Sequence, residues 1–544
     1  MSIASLLLAR AYKLPKRRSG ATHHKGLMLP MRDGVELETD HYSPKLAGAH
    51  PTLLMRLPYG MQGFGTVAEV YAERGFHVVL QSCRGTGKSG GEFDPLIHER
   101  SDGLDTLSWI KWQPWFDGRM GTSGPSYLGY AQWAICDALP KHAAMATKVT
   151  SAEFKSVVFP GGAFHLGLWL SWLQVVEGIR NSPADMFRRM ISGGIEARTL
   201  AASMKLPLID ADKRVTGHAV PFWKRWMTDA VGNDAFWEAL DHTHRLGSRT
   251  PPNHFISGWY DFMLDQLLRD YTTLVDMGQT PYLTVGPWTH VTSELQGESI
   301  KETLTWMRAH LLGDRSDLRD KPVRIHISGL NEWREFEQFP PGIPDTQLWH
   351  VHPDGVLSQR PVKASEPDKY TYDPKKPTPA VGGAMFAFKG AGPVDNAKLE
   401  TRDDVLTYTS EPLFNPVTII GNVRVTLYAR ASLPNADFFV RLCDVDEKGV
   451  STNICDGLIR MTSAAPAVID DIWKLNFKLH ATAHCFQRDH RLRLIVASGA
   501  HPRFARNTGT DEPIGEATKL VPADIEIFHD PTHPTAIHLP VHEI

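Results

Sequence analysis

Gly121-Thr-Ser-Gly-Pro-Ser-Tyr-Leu-Gly129 decides how the rest of the chain reads. It lies between a short run ending in Arg119-Met120 and Tyr127–Asp137, an apolar run rich in Ala, Trp and Ile that suits a helix. A serine at a strand-to-helix turn, with glycine two residues before it, is the pattern of a nucleophile elbow. Such a turn forces the serine into a strained backbone conformation and lifts its oxygen clear of the sheet edge. Gly124 removes the side chain that would keep the turn from closing. Ser126 is therefore the candidate nucleophile. The spacing is GxSxxG rather than GxSxG, with Leu128 where the second glycine belongs. Alone, Ser126 reads equally well as a helix N-cap, so its partners have to carry the assignment.

Working outward, strand and helix signals alternate. Asp33-Gly34 marks a hairpin turn with alternating flanks. Pro51–Leu57 and Phe76–Gln81 read as buried strands, with a helix-compatible Ala68–Arg74 between them. Asp102–Trp112 has helical spacing, as does Leu264–Met277. Ala144–Thr150, Asn253–Gly258, Pro281–Val285 and Val323–Ser328 resume the strand pattern, the last expected to end the sheet. This alternation argues for a largely parallel sheet covered on both faces.

From about Glu153 to Ser248 the strand pattern gives way to amphipathic runs rich in aromatics, an inserted helical unit. In a hydrolase it would cap the carboxyl edge of the sheet, where α/β folds bind ligands. Most of its aromatics are expected to be core; Phe164, Trp169 and Trp172, soon after Gly161-Gly162, are the candidates for pocket lining. After Gly342, short β-branched runs such as Val417–Ile420, Val423–Tyr428, Asp437–Val445 and His490–Val496 alternate with turn residues. That is the pattern of an all-β sandwich or jelly roll. No internal repeat is evident. The expected division is 1–152 with 249–342 for the catalytic unit, 153–248 for the helical cap and 343–544 for the β-sandwich.

Composition narrows the function. Over 544 residues, 42% hydrophobic and 22% charged content fit a soluble globular chain. A formal charge of −3 steers it toward neither nucleic acid nor an anionic membrane. The expected partner is a small-molecule ester or amide, and a homo-oligomer is compatible with the sequence. Five scattered cysteines form no CxxC pair, so free buried thiols in a reducing compartment are expected, with no metal site and no cofactor. The N-terminal segment has its basic residues after the apolar Leu6-Leu7-Leu8, opposite to a secretory signal. It is acid-free up to Asp33, a feature shared with organelle transit peptides. The reading adopted is a frayed arm on a cytoplasmic enzyme.

Cys83-Arg-Gly-Thr-Gly-Lys-Ser-Gly-Gly91 resembles a phosphate-cradling P-loop, but Ser82 stands where its first glycine belongs. Gly90-Gly91 and Pro95 follow where a helix should open toward the phosphates. The stretch reads instead as a glycine-rich loop beside the active site.

Ser126, Asp261 and His290 each lie just beyond an expected strand, in the order used by α/β-hydrolases. The chemistry needs these residue types. A serine hydroxyl is a weak nucleophile, so His290 must take its proton and return it to the leaving group. Asp261 must fix the imidazole tautomer and stabilise the imidazolium. Separately, Asp261 also reads as a helix N-cap and His290 as one histidine among 25. Phe262 and Met263 follow Asp261 directly and are expected at the substrate pocket. The oxyanion needs donors worth roughly 2.7–4 kcal/mol each. One is the Tyr127 N–H, and the early-strand loop Pro58-Tyr59-Gly60 offers the Tyr59 hydroxyl.

Several motifs together resemble the cocaine esterase-like (CocE/NonD) hydrolases. They are RLPYG at 56–60, CRGTGKSGGEF at 83–93, DGLDTLSWIKWQPWFDGRMGTSGPSYLG at 102–129, GWYD at 258–261 and GPWTH at 286–290. DFFVRLCDVDEKG, DGLIR, HRLRL and RFARNTG extend the likeness through the C-terminal part. The group also includes X-prolyl dipeptidyl peptidases, glutaryl-cephalosporin acylases and α-amino-acid ester hydrolases. The resemblance implies an α/β-hydrolase core with a helical cap and a C-terminal jelly roll. It also implies the triad Ser126, Asp261 and His290, with an oxyanion hole from Tyr59 O–H and Tyr127 N–H. Two departures stand out: Pro125 precedes the nucleophile, and Cys83 replaces the Asp of many relatives, which touches a structural ion pair. The expected activity is hydrolysis of carboxylic esters through an acyl-enzyme. Amide cleavage by an acylase or X-prolyl peptidase, and acyl transfer to a non-water acceptor, are the rival readings. A non-enzymatic carbohydrate- or partner-binding protein is disfavoured by an intact triad, and Leu128 offers no acid for a substrate ammonium.

Overall fold

The turn at Asp33-Gly34 forms as its dipeptide predicts, with Gly34 at φ +82° and its N–H donating to Met31 O at 2.9 Å. It joins β1 (Ala21–Pro30) and β2 (Glu36–Pro44), which pair antiparallel. The computed structural model describes residues 2–463 and 471–543. β3 (His50–Leu57), β4 (His77–Ser82), β5 (Phe116–Pro125), β6 (His142–Lys148), β7 (Asn253–Tyr260), β8 (Tyr282–Thr289), β9 (Val323–Ile327) and β10 (Glu332–Phe336) complete a ten-stranded sheet. Its order is β1-β2-β4-β3-β5-β6-β7-β8-β9-β10, and the run from β4 to β9 is parallel throughout. Contrary to expectation, β9 does not end the sheet. β10 turns back antiparallel on it, and its mostly exposed residues hide its strand character from any burial pattern.

The longer helices place the crossovers and the insertion. α1 (Ile3–Ala11) replaces the expected frayed arm: Ser2 caps it by accepting from Ser5 N–H at 3.1 Å, and Ser5 Oγ reaches buried Glu73 at 3.2 Å. α2 (Gln62–Ala72) and α3 (Glu99–Lys111) flank the first crossovers, and α4 (Tyr127–Trp133) leaves the serine turn. The helical insertion contributes α5 (Leu166–Asn181), α6 (Pro183–Ser192), α7 (Gly194–Ser203), α8 (Pro221–Thr228) and α9 (Asp234–Glu238), besides the short helix Ala211–Thr216 and other single turns. α10 (Leu264–Asp276) follows β7 and α11 (Ser293–Leu311) follows β8.

The two-residue period of the strands sorts their side chains between the layers. Leu53, Met55, Ala144 and Ala146 face α2 and α11, whose Val70, Tyr71, Leu304 and Met307 close that core. Leu54, Val79 and Met120 face α3, while Met145, Phe255 and Leu283 face α10. α11 lies so close to β5 that a Cβ on Gly121 would stand 2.6 Å from Met307 Sδ.

Among the described residues a second sheet of eleven strands begins at Asp345–His352 and ends at Ala536–Val541. Val417–Ile420 and Val423–Tyr428, read separately from the sequence, are one strand, Val417–Ala431, whose register shifts between Asn422 and Arg424. This region docks on the first sheet: Ile420, Ala481, Ala483 and Cys485 join the core around β7–β9, and Ser328 bridges to it through the backbone, its N–H donating to Ala483 O at 2.9 Å and its carbonyl oxygen accepting from Cys485 N–H at 2.8 Å. All five cysteines are free and buried. Among the described residues no helix is long and apolar enough to cross a membrane.

Candidate active site

Ser126 has φ +57° and ψ −122°, a conformation that costs an L-residue about 1–3 kcal/mol. Its N–H donates to Lys148 O of β6 at 2.9 Å; it holds the N-cap position of α4, as the N-cap reading expected, but its side chain makes no capping hydrogen bond there. The turn is tight on both sides. A Cβ on Gly124 would lie 2.3 Å from Leu128 Cβ, and one on Gly129 would lie 2.4 Å from Thr150 Cγ2. Thr150 Oγ1 donates to Ser126 O at 2.8 Å. The GxSxxG spacing thus reflects Leu128 packing onto Gly124, with Gly129 accommodating Thr150.

Asp261, fully buried after β7, accepts from His290 Nδ1 at 2.7 Å. Its second oxygen accepts from Ser257 Oγ at 2.8 Å. It does not cap α10, which begins at Leu264 behind Met263. With Nδ1 engaged, Nε2 is the imidazole nitrogen left to act, and His290 and Ser126 line one cavity. The His290 ring packs on Phe262 at 4.4 Å.

Tyr59 follows β3 and brings its hydroxyl to Ser126, while Trp172 Nε1 donates to that hydroxyl at 3.0 Å. Burial pushes the phenol up to about 12, so it remains a neutral donor. The Tyr127 N–H, in the first turn of α4, is among the donors that a helix cannot satisfy internally. The Tyr127 side chain serves a different end. Its hydroxyl donates to Glu99 Oε1 at 2.9 Å and accepts from Leu96 N–H at 2.9 Å. Glu99 also pairs with buried Arg56 at 3.1 Å. Cys83 Sγ stands 3.5 Å from Glu99 Oε2, and burial, then Glu99, push its thiol well above the ordinary range. Arg84, the next residue, pairs with Asp102 at 2.6 Å and Asp33 at 2.7 Å.

The glycine-rich loop supports this wall and holds no phosphate cradle. Lys88 N–H donates to Glu38 Oε2 at 2.8 Å, so a carboxylate of the chain itself takes the anion position. The Lys88 side chain is 83% exposed.

The cavity beside Ser126 is walled by Leu168, Trp169, Trp172, Trp226, Phe262 and Phe386, with Met263 and Leu96 also in contact. Of the expected lining, Trp169, Trp172, Phe262 and Met263 are there. Phe164 is not: it is fully buried behind the wall, against Phe159 at 5.6 Å and Trp223 at 5.9 Å. It precedes α5 and turns into the core of the inserted helices, whereas residues of α5 itself reach the cavity. Sequence reading missed Trp226 and Phe386. Trp226 had only its place in an aromatic run. Phe386 comes from the C-terminal region, and its one signal was the glycine-punctuated Gly382-Gly-Ala-Met-Phe-Ala-Phe-Lys-Gly-Ala-Gly392. Among the described residues no cluster of His, Cys, Asp and Glu has the arrangement to hold a metal ion.

Known proteins resemble this chain over most of its length. The model of the X-Pro dipeptidyl-peptidase (S15 family) matches residues 33–292, and that of the X-Pro dipeptidyl-peptidase C-terminal non-catalytic domain matches residues 318–538. Cocaine esterase of Rhodococcus sp. (strain MB1 Bresler) is 31% identical over 567 residues, covering 95% of this chain and 98% of the relative. An aminopeptidase from the marine sediment archaeon Thaumarchaeota archaeon superposes with a TM-score of 0.79 at 23% identity, over 97% of this chain and 98% of that one. An α-amino acid ester hydrolase gives 0.80 at 21%, with the same coverage. The last two establish a shared fold.

Proposed function

The chain belongs to the cocaine esterase-like hydrolases and is a serine ester hydrolase, and from that premise we propose that Ser126, His290 and Asp261 are its catalytic triad. The observation that carries the assignment is the buried 2.7 Å contact of Asp261 with His290 Nδ1, on a cavity shared with the strained Ser126. His290 Nε2 takes the Ser126 proton as Oγ adds to the ester carbonyl, while Asp261 steadies the imidazolium. Tyr59 O–H and Tyr127 N–H donate to the oxyanion, in positions fixed before the reaction starts. Collapse of the adduct expels the alcohol, which takes its proton from His290, and leaves an acyl-enzyme on Ser126. Water then repeats the cycle and restores the serine.

The substrate class follows from the cavity. Its lining includes Trp169, Trp172, Trp226 and Phe386 and, among the described residues, no carboxylate. Such walls suit an uncharged aromatic or branched aliphatic acyl group. They offer no counter-ion for a free ammonium, which weighs against an amino-acid ester or an X-prolyl peptide. The sheet order supports an α/β-hydrolase catalytic unit over 1–152 and 249–342, with a cap over 153–248 and a jelly roll over 343–544. Free buried thiols favour a cytoplasmic location, and the near-neutral charge favours neither nucleic acid nor membrane as partner.

Steady-state hydrolysis of p-nitrophenyl benzoate and butyrate, beside prolyl and glutaryl anilides, tests this reading. Esters turned over with anilides inert support it. Faster cleavage of a prolyl anilide than of either ester would replace it with the peptidase reading.

A further inference from the structure

The catalytic cavity is tight: only about 20 Å³ of it is open to the centre of a water molecule, against the roughly 300–1,000 Å³ of ordinary ligand pockets. No acyl group of the kind its walls suit can enter unless a wall moves. Trp169, Trp172, Trp226 and Phe262 are all at most 5% exposed and packed within the cap and catalytic cores. Phe386 differs. It is half-buried and enters from an irregular loop of the C-terminal region. Its ring lies 6.1 Å from Phe262 and 5.7 Å from His290.

The loop has the build of a hinged flap. Gly383 and Gly392 close its base with two mutual backbone hydrogen bonds of 2.7 and 3.0 Å. Both have positive φ, +84° and +83°, as do Gly382 and Gly390. The tip is held by the cap. Phe388 packs with Val175, Met186 and Ile195. Glu196, in the first turn of α7, accepts from Phe388 N–H at 2.7 Å and from Lys389 N–H at 3.2 Å through one oxygen. Its other oxygen, Oε2, is buried without a donor among the described residues, which weakens the hold by the desolvation left uncompensated.

We propose that Gly383–Gly392 is a flap carrying Phe386 over the acyl cavity, and that Glu196 is the latch setting how large an acyl group the enzyme accepts. With the latch made, Phe386 narrows the cavity and small acyl groups are processed. With the latch broken, the flap lifts about its glycine base and bulky acyl groups gain access. Glu196 touches neither the triad nor the oxyanion donors, so it acts on selectivity and leaves the chemical step alone.

The inference rests on Ser126 as nucleophile, which Ser126→Ala tests separately by loss of hydrolysis of every ester. The experiment compares kcat/KM for p-nitrophenyl 1-naphthoate and p-nitrophenyl acetate in the full-length enzyme. Glu196→Ala is expected to raise the naphthoate-to-acetate ratio about tenfold, the scale of apolar pocket discrimination, with acetate changed less than about twofold. Glu196→Gln keeps a carbonyl oxygen for the two N–H groups and is expected to stay near the parent ratio. An unchanged ratio in Glu196→Ala, or an equal rise in Glu196→Gln, overturns the latch. If Glu196→Ala does not fold, Phe386→Ala serves: a ratio that does not rise in that variant overturns the flap.

Discussion

His480, from the strand Trp473–Phe486, stands with Nε2 3.0 Å from the backbone carbonyl oxygen of Asp261. A carbonyl oxygen only accepts, so Nε2 carries the proton and donates. The C-terminal region thus holds the loop of the proposed triad carboxylate, and it does so a second time through Asp265, whose Oδ1 accepts from Ala481 N–H at 3.0 Å and Asn422 Nδ2 at 3.1 Å. Loosening this hold should misplace His290 through Asp261. His480→Ala is expected to lower kcat by about 10–100-fold with KM little changed, and His480→Gln, whose amide can donate, to recover most of the loss. Steady-state kinetics with a small ester measures both, and an unchanged kcat in His480→Ala would leave the histidine a purely structural role.

Tyr59 is expected to act in the transition state more than in binding. Tyr59→Phe should lower kcat by about 10²–10³ at nearly constant KM. Because burial pushes its phenol up to about 12, the hydroxyl keeps its proton well past pH 10. The pH–rate profile should therefore show no fall near the ordinary tyrosine range; a fall there that disappears in Tyr59→Phe would contradict the placement.

Lys148 is 4% exposed and paired with no carboxylate among the described residues. Burial lowers its ammonium to about 7. The unfolded chain therefore holds one more proton than the folded chain between about pH 7 and the ordinary lysine range, near 10.4, so stability rises with pH across that window. Below it, the buried charge opposes folding in full. Lys148→Met should raise the denaturation midpoint clearly at pH 6 and much less at pH 10. Equal shifts at both pH values would mean that packing, rather than charge, sets the effect.

Glu99 neutralises Arg56 and holds Tyr127 in place. Removing one partner of a buried pair leaves the other uncompensated, at a cost of about 3–5 kcal/mol. Glu99→Ala should thus lower Tm markedly and reduce activity by disturbing Leu96 and the serine turn. Thermal melts followed by near-ultraviolet circular dichroism test this, and a Tm within a degree of the parent would show that Arg56 is relieved elsewhere.

The proposed triad was legible because each member follows a buried strand, where apolar runs and turn residues mark the chain strongly. Trp169, Trp172, Phe262 and Met263 were legible for the same reason, being adjacent to such landmarks. Phe164 was misplaced because one helical turn decides whether an aromatic faces a cavity or a core, and composition is blind to that angle. Phe386 and His480 were invisible because they arrive from more than 90 residues beyond His290, by docking of a second sheet whose contacts have no local signature. Helix α1 escaped because its hold is largely polar, Ser2 to Glu69 and Ser5 to Glu73, while of its Leu6-Leu7-Leu8 run only Leu8 packs on the core, which leaves no apolar period.

Ser126 is the proposed nucleophile, activated by His290. Labelling the full-length enzyme with a fluorophosphonate, followed by peptide mapping, tests it most directly. One phosphonyl group is expected, on Ser126, formed with loss of ester hydrolysis and abolished in His290→Ala. A label on another residue, or ester hydrolysis surviving full modification of Ser126, would contradict it.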